Sequence, residues 1–568
     1  MWKRVSLMIL SVLVPSLSLA QIPVDSPFSL PTDPAGEHRF PVVAGAPNGD
    51  FVVVWQRTGS PSDDGWGIEG RRFSSDGSPL GAPFQVNTYT TNAQTNPAVA
   101  IGSDGRFTVV WTSLGSELGD AEKTSVHGRR FAADGSPLGD PFQISSTTAV
   151  GRQHGAEIAL DADDNEVVTW RSEAGYQIYV YGKRYSRNGD ELGSQFLVWD
   201  RDSQPGRDSG LAVGPDGEIM VVRPSERYTP SFGSDIQARR FSADGTPLGS
   251  IFVVNGEAEG SHWYSDITAA PDGSFWVAWQ AEFYPDPERS RIHARRFGAG
   301  GEPLTDPFQV ETEVVYEQTL PDVAVAPDGD FAVVWRTPTV TFAGGSPPGY
   351  LPGIHGRFFS SDGQPLDLQF PVDLVPDSFP RPNFWHSDAA LSAEGDLFVV
   401  WEREDDGIWG AYGRRFCTDD DGDGSCNRDD LCKGDDRTGD SDGDGVCNDV
   451  DVCDGNDPAI LCLHEDRYRA EVQWRDVENR TGAGQTVFSS KDSGLFWFFD
   501  ADNWEMLVKV LDGCDVNGHT WVFAAATTDV EYTLKVTDTH TGIENEYANR
   551  LGEAAPALTD TTAFATCP

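Results

Sequence analysis

Two stretches of the chain carry oxygen ligands at a spacing that suits a hard cation. Residues 419–432 place Asp419, Asp421 and Asp423 at alternate positions, followed by Gly424, Asn427, Asp430 and Cys432. Residues 440–453 repeat that order with Asp440, Asp442, Asp444, Gly445, Asn448, Asp451 and Cys453. Alternate carboxylates, a glycine that turns the chain, and further oxygens at the ninth and twelfth positions fit calcium, which takes six to eight oxygens. Magnesium asks for a tighter octahedron that retains waters. Neither copy has the Glu at position twelve or the flanking helical periodicity of an EF-hand. The plain alternative is a disordered acidic linker.

A second set of carboxylates is spread through the preceding residues. Glu157, Asp266, Asp322 and Asp388 fall at one equivalent position of a repeated unit. Around them lie aromatic and histidine residues of variable loops: His38, Trp66, His154, Tyr176, Tyr228, His262-Trp263-Tyr264, Phe283-Tyr284, Tyr350, Trp385-His386 and Trp409. Candidate ligand contacts are Trp66, His262, Trp263, Asp266, Asp322, Trp385, His386, Asp388 and Trp409. Two facing carboxylates can cleave glycosidic bonds; the same groups can instead solvate a channel or pair with arginine. Gly65–Gly70 matches GxGxxG but enters a strand, and Gly439–Gly443 matches GxSxG inside the second acidic loop, so neither has the context its chemistry needs.

The elements that position these groups come from repetition. Seven copies of one pattern run between residues 42 and 416, anchored by Trp55, Trp111, Trp170, Arg223, Trp279, Trp335 and Trp401 at spacings of 56, 59, 53, 56, 56 and 66 residues. Such a period means one supersecondary unit stacked many times. Each copy has four short apolar or alternating runs, in the second copy Ala98–Ile101, Phe107–Trp111, Val126–Phe131 and Pro141–Ile144. Asn48-Gly49, Asp104-Gly105, Asp216-Gly217, Asp272-Gly273 and Asp328-Gly329 join the first two as hairpins. The expected fold is all-β, a seven-bladed β-propeller over residues 21–416. The seventh copy stops after Phe416 without its fourth run, and Asp25–Leu30 supplies the missing match, so the N-terminal strand is expected to close the last blade. His127, His293 and His355 share one repeat position and are expected to be structural. The pairs Arg71-Arg72, Arg129-Arg130, Arg239-Arg240, Arg295-Arg296 and Arg414-Arg415 are expected to meet acidic groups between blades.

The two acidic copies resemble thrombospondin type 3 repeats, including the Cys at position fourteen. That resemblance implies calcium ligation by Asp419, Asp421, Asp423, Asn427, Asp430, Asp440, Asp442, Asp444, Asn448 and Asp451, in a linker over residues 417–462 that stiffens a connection between domains. The propeller repeats resemble those of large bacterial exported and surface-associated proteins.

Residues 1–20 read as a secretory signal peptide, with Lys3 and Arg4, an apolar Leu7–Val14 and Ser18-Leu19-Ala20. No later run is long enough to cross a bilayer, so a secreted, extracellular or periplasmic protein without membrane insertion is expected. A formal charge of −47 argues against nucleic acid as a partner. All eight Cys lie at or beyond residue 417 and are disulfide candidates, with Cys514 and Cys567 expected to pair. Residues 463–568 hold strand-like runs at Tyr468–Trp474, Leu495–Phe499, Leu507–Leu511, Trp521–Ala526 and Tyr532–Thr537, which suggest a β-sandwich. They look like a domain recurring at the C-termini of bacterial secreted proteins. Trp474, Trp497, Trp504 and Trp521 are expected in its core rather than on a sugar-stacking surface. The leading functional expectation is a binding or adhesion module for a glycan or protein ligand. An extracellular glycosidase or lyase is the alternative, and a purely structural repeat protein the third reading.

Overall fold

The computed structural model describes residues 20–24, 26–33, 36–59, 65–115, 123–145, 151–175, 177–202, 209–227, 233–256, 260–282, 290–312, 317–338, 352–366, 368–374, 383–393, 395–419, 426, 447, 457–464, 467–539 and 541–565. Two compact units divide after Thr418.

Among the described residues the first unit holds seven antiparallel sheets. In the second of them Gln94–Ile101, Phe107–Leu114, Thr124–Phe131 and Phe142–Gln143 follow one another across the sheet. The second strand of each sheet reads as a continuous apolar run because it is buried on both faces, as in Phe51–Arg57 and Phe331–Thr337. The Asp-Gly corners behave as hairpins: Gly105, at φ 78°, returns its N–H to the carbonyl of Gly102.

The apolar cores lie between blades rather than within them. One joins Val52 and Val54 to Phe107 and Trp111, and the next joins Ala98 and Val110 to Ile158 and Trp170. The series continues around the unit to a last core in which Ala390, Phe398 and Val400 pack on Val43, Phe51 and Trp55. The ring therefore closes on itself. Phe28–Ser29 is the closing strand, pairing Phe28 with Gly413 and Ser29 with Tyr412, as Phe142 pairs with Gly128 and Gln143 with His127. A further strand, Ala20–Pro23, extends the same sheet from the expected cleavage point onward. The rest of the expected signal peptide, residues 1–19, lies outside the described residues.

The arginine pairs do join blades, but mostly through carbonyl acceptors. Arg129 donates to Val86 O at 2.9 Å, Arg295 to Val254 O at 2.9 Å and Arg414 to Val372 O at 2.8 Å. Arg71 makes the matching bond to Leu30 O at 3.1 Å, directly after the closing strand of the last blade. Carboxylate partners occur between blades at Arg130–Glu166 (2.5 Å) and within one blade at Arg296–Asp272 (2.6 Å). The first arginine of each pair reaches back to the end of the preceding blade's fourth strand, while the second reaches forward to the following blade, as Arg72 does to the turn carbonyl Asp134 O at 2.7 Å.

The second unit is a sandwich of two five-stranded antiparallel sheets around a core that includes Tyr468, Val472, Phe496, Val508, Val522 and Leu534. Its tryptophans depart from expectation. Trp504 is 54% exposed, while Trp474, Trp497 and Trp521 are half-buried. Strand alternation explains two of them: Trp497 follows the buried Phe496, and Trp521 precedes the buried Val522, so both fall on the outer face. Trp474 packs at the edge of the core. Cys417, Cys426, Cys447, Cys462 and Cys514 are disulfide-bonded. Cys567, the expected partner of Cys514, lies outside the described residues, as do the expected calcium ligands from Asp421 to Asp451; Asp419 ends the strand Ile408–Asp419. No helix among the described residues is long and apolar enough to cross a membrane.

Candidate functional site

Strand register fixes which residues share the wall of the central channel. Opposite Val54, Val110, Thr169, Val222, Ala278, Val334 and Val400 of the second strands stand Val42, Ala98, Glu157, Gly210, Asp266, Asp322 and Asp388. The carboxylates of three consecutive blades thus occupy one level of one surface.

A bulge precedes this level in six of the seven inner strands. The residue two positions before it has a left-handed backbone: Phe40, Asn96, Gly155, Tyr264, Leu320 and His386. Five of these are not glycine, a strained arrangement that rigid surroundings must hold. Bulges re-aim the side chains that follow them. A cavity of about 230 Å³ results, to which all seven inner strands contribute. Its polar lining is Asn96, Glu157, Ser209, Ser265, Asp266, Asp322, His386, Ser387 and Asp388, with neither lysine nor arginine.

Asp266, Asp322 and Asp388 are mutually engaged, with Asp322 in hydrogen-bond contact with both others. Asp388 Oδ2 accepts the N–H of Val43 at 2.6 Å, and Asp266 Oδ2 accepts that of Val323 at 2.9 Å. Asp322 Oδ2 is sealed from solvent, and the groups that face its carboxyl are the carboxyls of Asp266 and Asp388. Such contacts bind only when a proton is shared between them. Burial pushes Asp266 up to about 6 and Asp388 up to about 7. Burial, reinforced by the two neighbouring carboxylates, holds Asp322 well above the usual range. The trio therefore carries protons near neutrality. Glu157 lines the same cavity from across the channel, so the four carboxylates form an arc of three plus one rather than a ring.

The other expected contacts divide into rim and interior. Trp385 is 37% exposed, with the Arg336 guanidinium 4.2 Å from its ring centroid. His386 lines the cavity and packs on Phe40 at 4.4 Å; burial, with Arg39 and Arg336 nearby, lowers it to about 4 and keeps it neutral. Trp409 is half-buried under Arg39, which is ion-paired with Glu402 at 3.1 Å. Trp66 and Trp263 are half-buried and do not line the cavity. His262 is an interior residue, 1% exposed. Its position corresponds to Gln94, Gln153 and Gln318, whose Oε1 atoms accept from the anchors Trp111, Trp170 and Trp335 at 2.9, 2.9 and 2.8 Å. His127, His293 and His355 pair with Trp111, Trp279 and Trp335 about 6 Å away, as structural residues do. Asn96, Ser209, Ser265 and Ser387 line the cavity without having been expected there; only Gly155, Asn96 and His386, types that tolerate the left-handed backbone, gave a signal of the bulges.

No protein-family model and no curated protein matches the chain. Solved structures that resemble it include a protein of unknown function from Dyadobacter fermentans, 12% identical with a TM-score of 0.42, over 70% of this chain and 99% of that one. The β-propeller domain of the Trilobed protease from Pyrococcus furiosus is 10% identical with a TM-score of 0.38, over 66% and 95%. Polysaccharide lyase Uly1 is 11% identical with a TM-score of 0.39, over 68% and 90%. At such distances the likeness says nothing of activity. The described architecture itself, a closed ring of antiparallel blades, is a β-propeller.

Proposed function

We propose that the chain is an exported, calcium-binding protein whose propeller captures a hydroxyl-rich ligand, a glycan in the first instance, at its central channel. The observation that carries this reading is the channel cavity: carboxyl, hydroxyl and amide groups converge there without a cationic side chain. Such a lining accepts hydrogen bonds from neutral hydroxyls and repels phosphate or carboxylate. The exposed Trp385 beside it offers a stacking face.

Binding fits the geometry better than hydrolysis. A glycosidase needs two carboxyls roughly 5 to 10 Å apart with the substrate between them. Here Asp322 touches both neighbours, and Asp266 and Asp388 are each engaged by a backbone N–H of the following blade. The disulfide-bonded cysteines support an oxidising destination. Calcium enters through the expected ligands of residues 419–451.

The test is to incubate the purified chain in calcium with soluble neutral oligosaccharides, reading both retention and newly released product. Retention without product, weakened about tenfold by Trp385→Ala, is the expected result. Released product would return the enzyme reading, with Asp266, Asp322 and Asp388 as its residues; no retention by any glycan would turn the search to protein ligands.

A further inference from the structure

The two outer faces of the C-terminal sandwich differ in kind. On one sheet the outward residues are charged and paired: Lys535 meets Glu544 at 3.0 Å and Glu471 at 3.7 Å, and Arg475 meets Glu531. The other sheet inverts this pattern. Phe496, Val508, Val510, Val522 and Ala524 point into the core, so the residues between them point out. Those are Trp497, Leu507, Lys509, Leu511, Trp521 and Phe523, all half-buried. Register assembles them into one surface, with Leu511 opposite Trp521 and Lys509 opposite Phe523. From Trp497 to Trp521 the surface runs roughly 20 Å, taking about 3.3 Å per residue and 4.8 Å between strands. The Trp521 ring is held by a 2.8 Å bond from its Nε1 to Asn517 Oδ1 and meets Phe523 edge-on at 6.3 Å.

We propose that this face is a binding platform for an uncharged polysaccharide surface. Outer faces of soluble sandwiches are ordinarily polar, and contiguous apolar surface marks an interaction site. Charge selects the occupant. The chain carries a formal −47, so a second copy or another acidic macromolecule meets like charge that the one Lys509 does not offset. A neutral polysaccharide incurs no such repulsion. Its sugar rings present C–H faces to Trp497, Trp521 and Phe523, and its hydroxyls reach Lys509 at the middle of the platform. The platform lies in the unit that the channel site does not occupy, so the two readings stand or fall separately.

The experiment is sedimentation of the full chain with microcrystalline cellulose and with chitin, in calcium. The wild type is expected to be retained by at least one of them. The double variant Trp521→Ser with Phe523→Ser is expected to lose retention at least tenfold at an unchanged melting midpoint, while Lys535→Gln on the opposite, charged sheet keeps it. Leu507→Asn, at the centre of the face, gives the same readout should the double variant fail to fold. Absence of wild-type retention on both solids overturns the proposal, as does full retention by a folded variant. A dimer that the variants convert to monomer also overturns it, assigning the face to a second copy.

Discussion

Asp388 Oδ2 accepts the N–H of Val43 at 2.6 Å, across the seam where the last blade meets the first. The bond is a chemical stitch at the place where ring closure must be held, and Asp266 repeats it toward Val323. The residues that give the channel its acidity are therefore also part of what keeps neighbouring blades in register.

Removing that stitch tests its worth. Val43 is buried, so Asp388→Ala leaves an N–H without its acceptor and is expected to lower stability by about 1–3 kcal/mol. Asp388→Asn retains an acceptor oxygen and is expected to lose less than half as much. Urea unfolding at pH 5 measures both; equal losses would mean that the carboxylate charge, not the bond, matters at this seam.

The carboxyl trio sets a pH dependence of definite sign. Folded values above the ordinary 3.9 mean that these groups stabilise the propeller fully below about pH 4, and that the contribution fades as pH rises through the values near 6 and 7. Asp244, lowered to about 2 by the Ser242 hydroxyl, works in the opposite direction and is common to wild type and variant. Asp322→Asn is thus expected to gain stability relative to wild type between pH 4.5 and 8, by on the order of 1–3 kcal/mol. Parallel stability curves for the two proteins would rule out proton sharing.

Closure by the N-terminal strand predicts an outsized cost for a small truncation. Leu30 is fully buried between the last and first blades, its N–H bonds to Ala411 O, and its carbonyl receives Arg71. Leu30→Ala is expected to cost about 2–5 kcal/mol. A loosened closing strand also bares a sheet edge, so light scattering should rise before bulk unfolding. A melting midpoint within a degree of wild type would refute the latch.

The architecture was legible because repetition over-determines it: seven Trp or Arg anchors, Asp-Gly corners at matching intervals, and a missing last strand that reappears at Phe28-Ser29. The carboxylate level was legible for the same reason, since Asp266, Asp322 and Asp388 align. What could not be read was how they meet, which depends on bulges at Phe40, Asn96, Tyr264, Leu320 and His386, of which only Asn96 and His386 are of types enriched in the left-handed backbone they adopt. The sandwich tryptophans misled for a related reason. An indole in an alternating strand is expected inside, but parity, set by buried Phe496 and Phe498 around one and by buried Val522 beside the other, placed Trp497 and Trp521 outside. Composition does not reveal parity.

Calcium in residues 417–462 has a direct test. Carboxylates at one-residue intervals repel one another unless a cation sits among them, so chelation should loosen the segment. With EDTA, limited proteolysis is expected to cut between residues 417 and 462 at least tenfold faster, and added calcium to reverse it. Magnesium at equal concentration should protect poorly. An unchanged cleavage rate would leave an acidic linker pinned by its disulfides alone.

His262 offers a sharper choice between architecture and recognition. Gln318 exchanges two bonds with Ser290, its N–H reaching Oγ at 3.0 Å and its carbonyl accepting from Oγ at 2.7 Å. His262 makes the same exchange with Ser234, at 3.1 and 2.7 Å. The histidine therefore occupies a glutamine's place beside the Trp279 anchor, and its type carries little meaning of its own. His262→Gln is expected to stay within about 1 kcal/mol of wild type, because the replacement matches the site in three other blades, whereas His262→Ala opens a cavity and is expected to cost about 1–3 kcal/mol. Glycan retention should follow stability in both. If instead His262→Gln keeps the melting midpoint and abolishes retention, the imidazole is a ligand contact, and the binding surface extends beneath the channel wall rather than ending at Trp385 and His386.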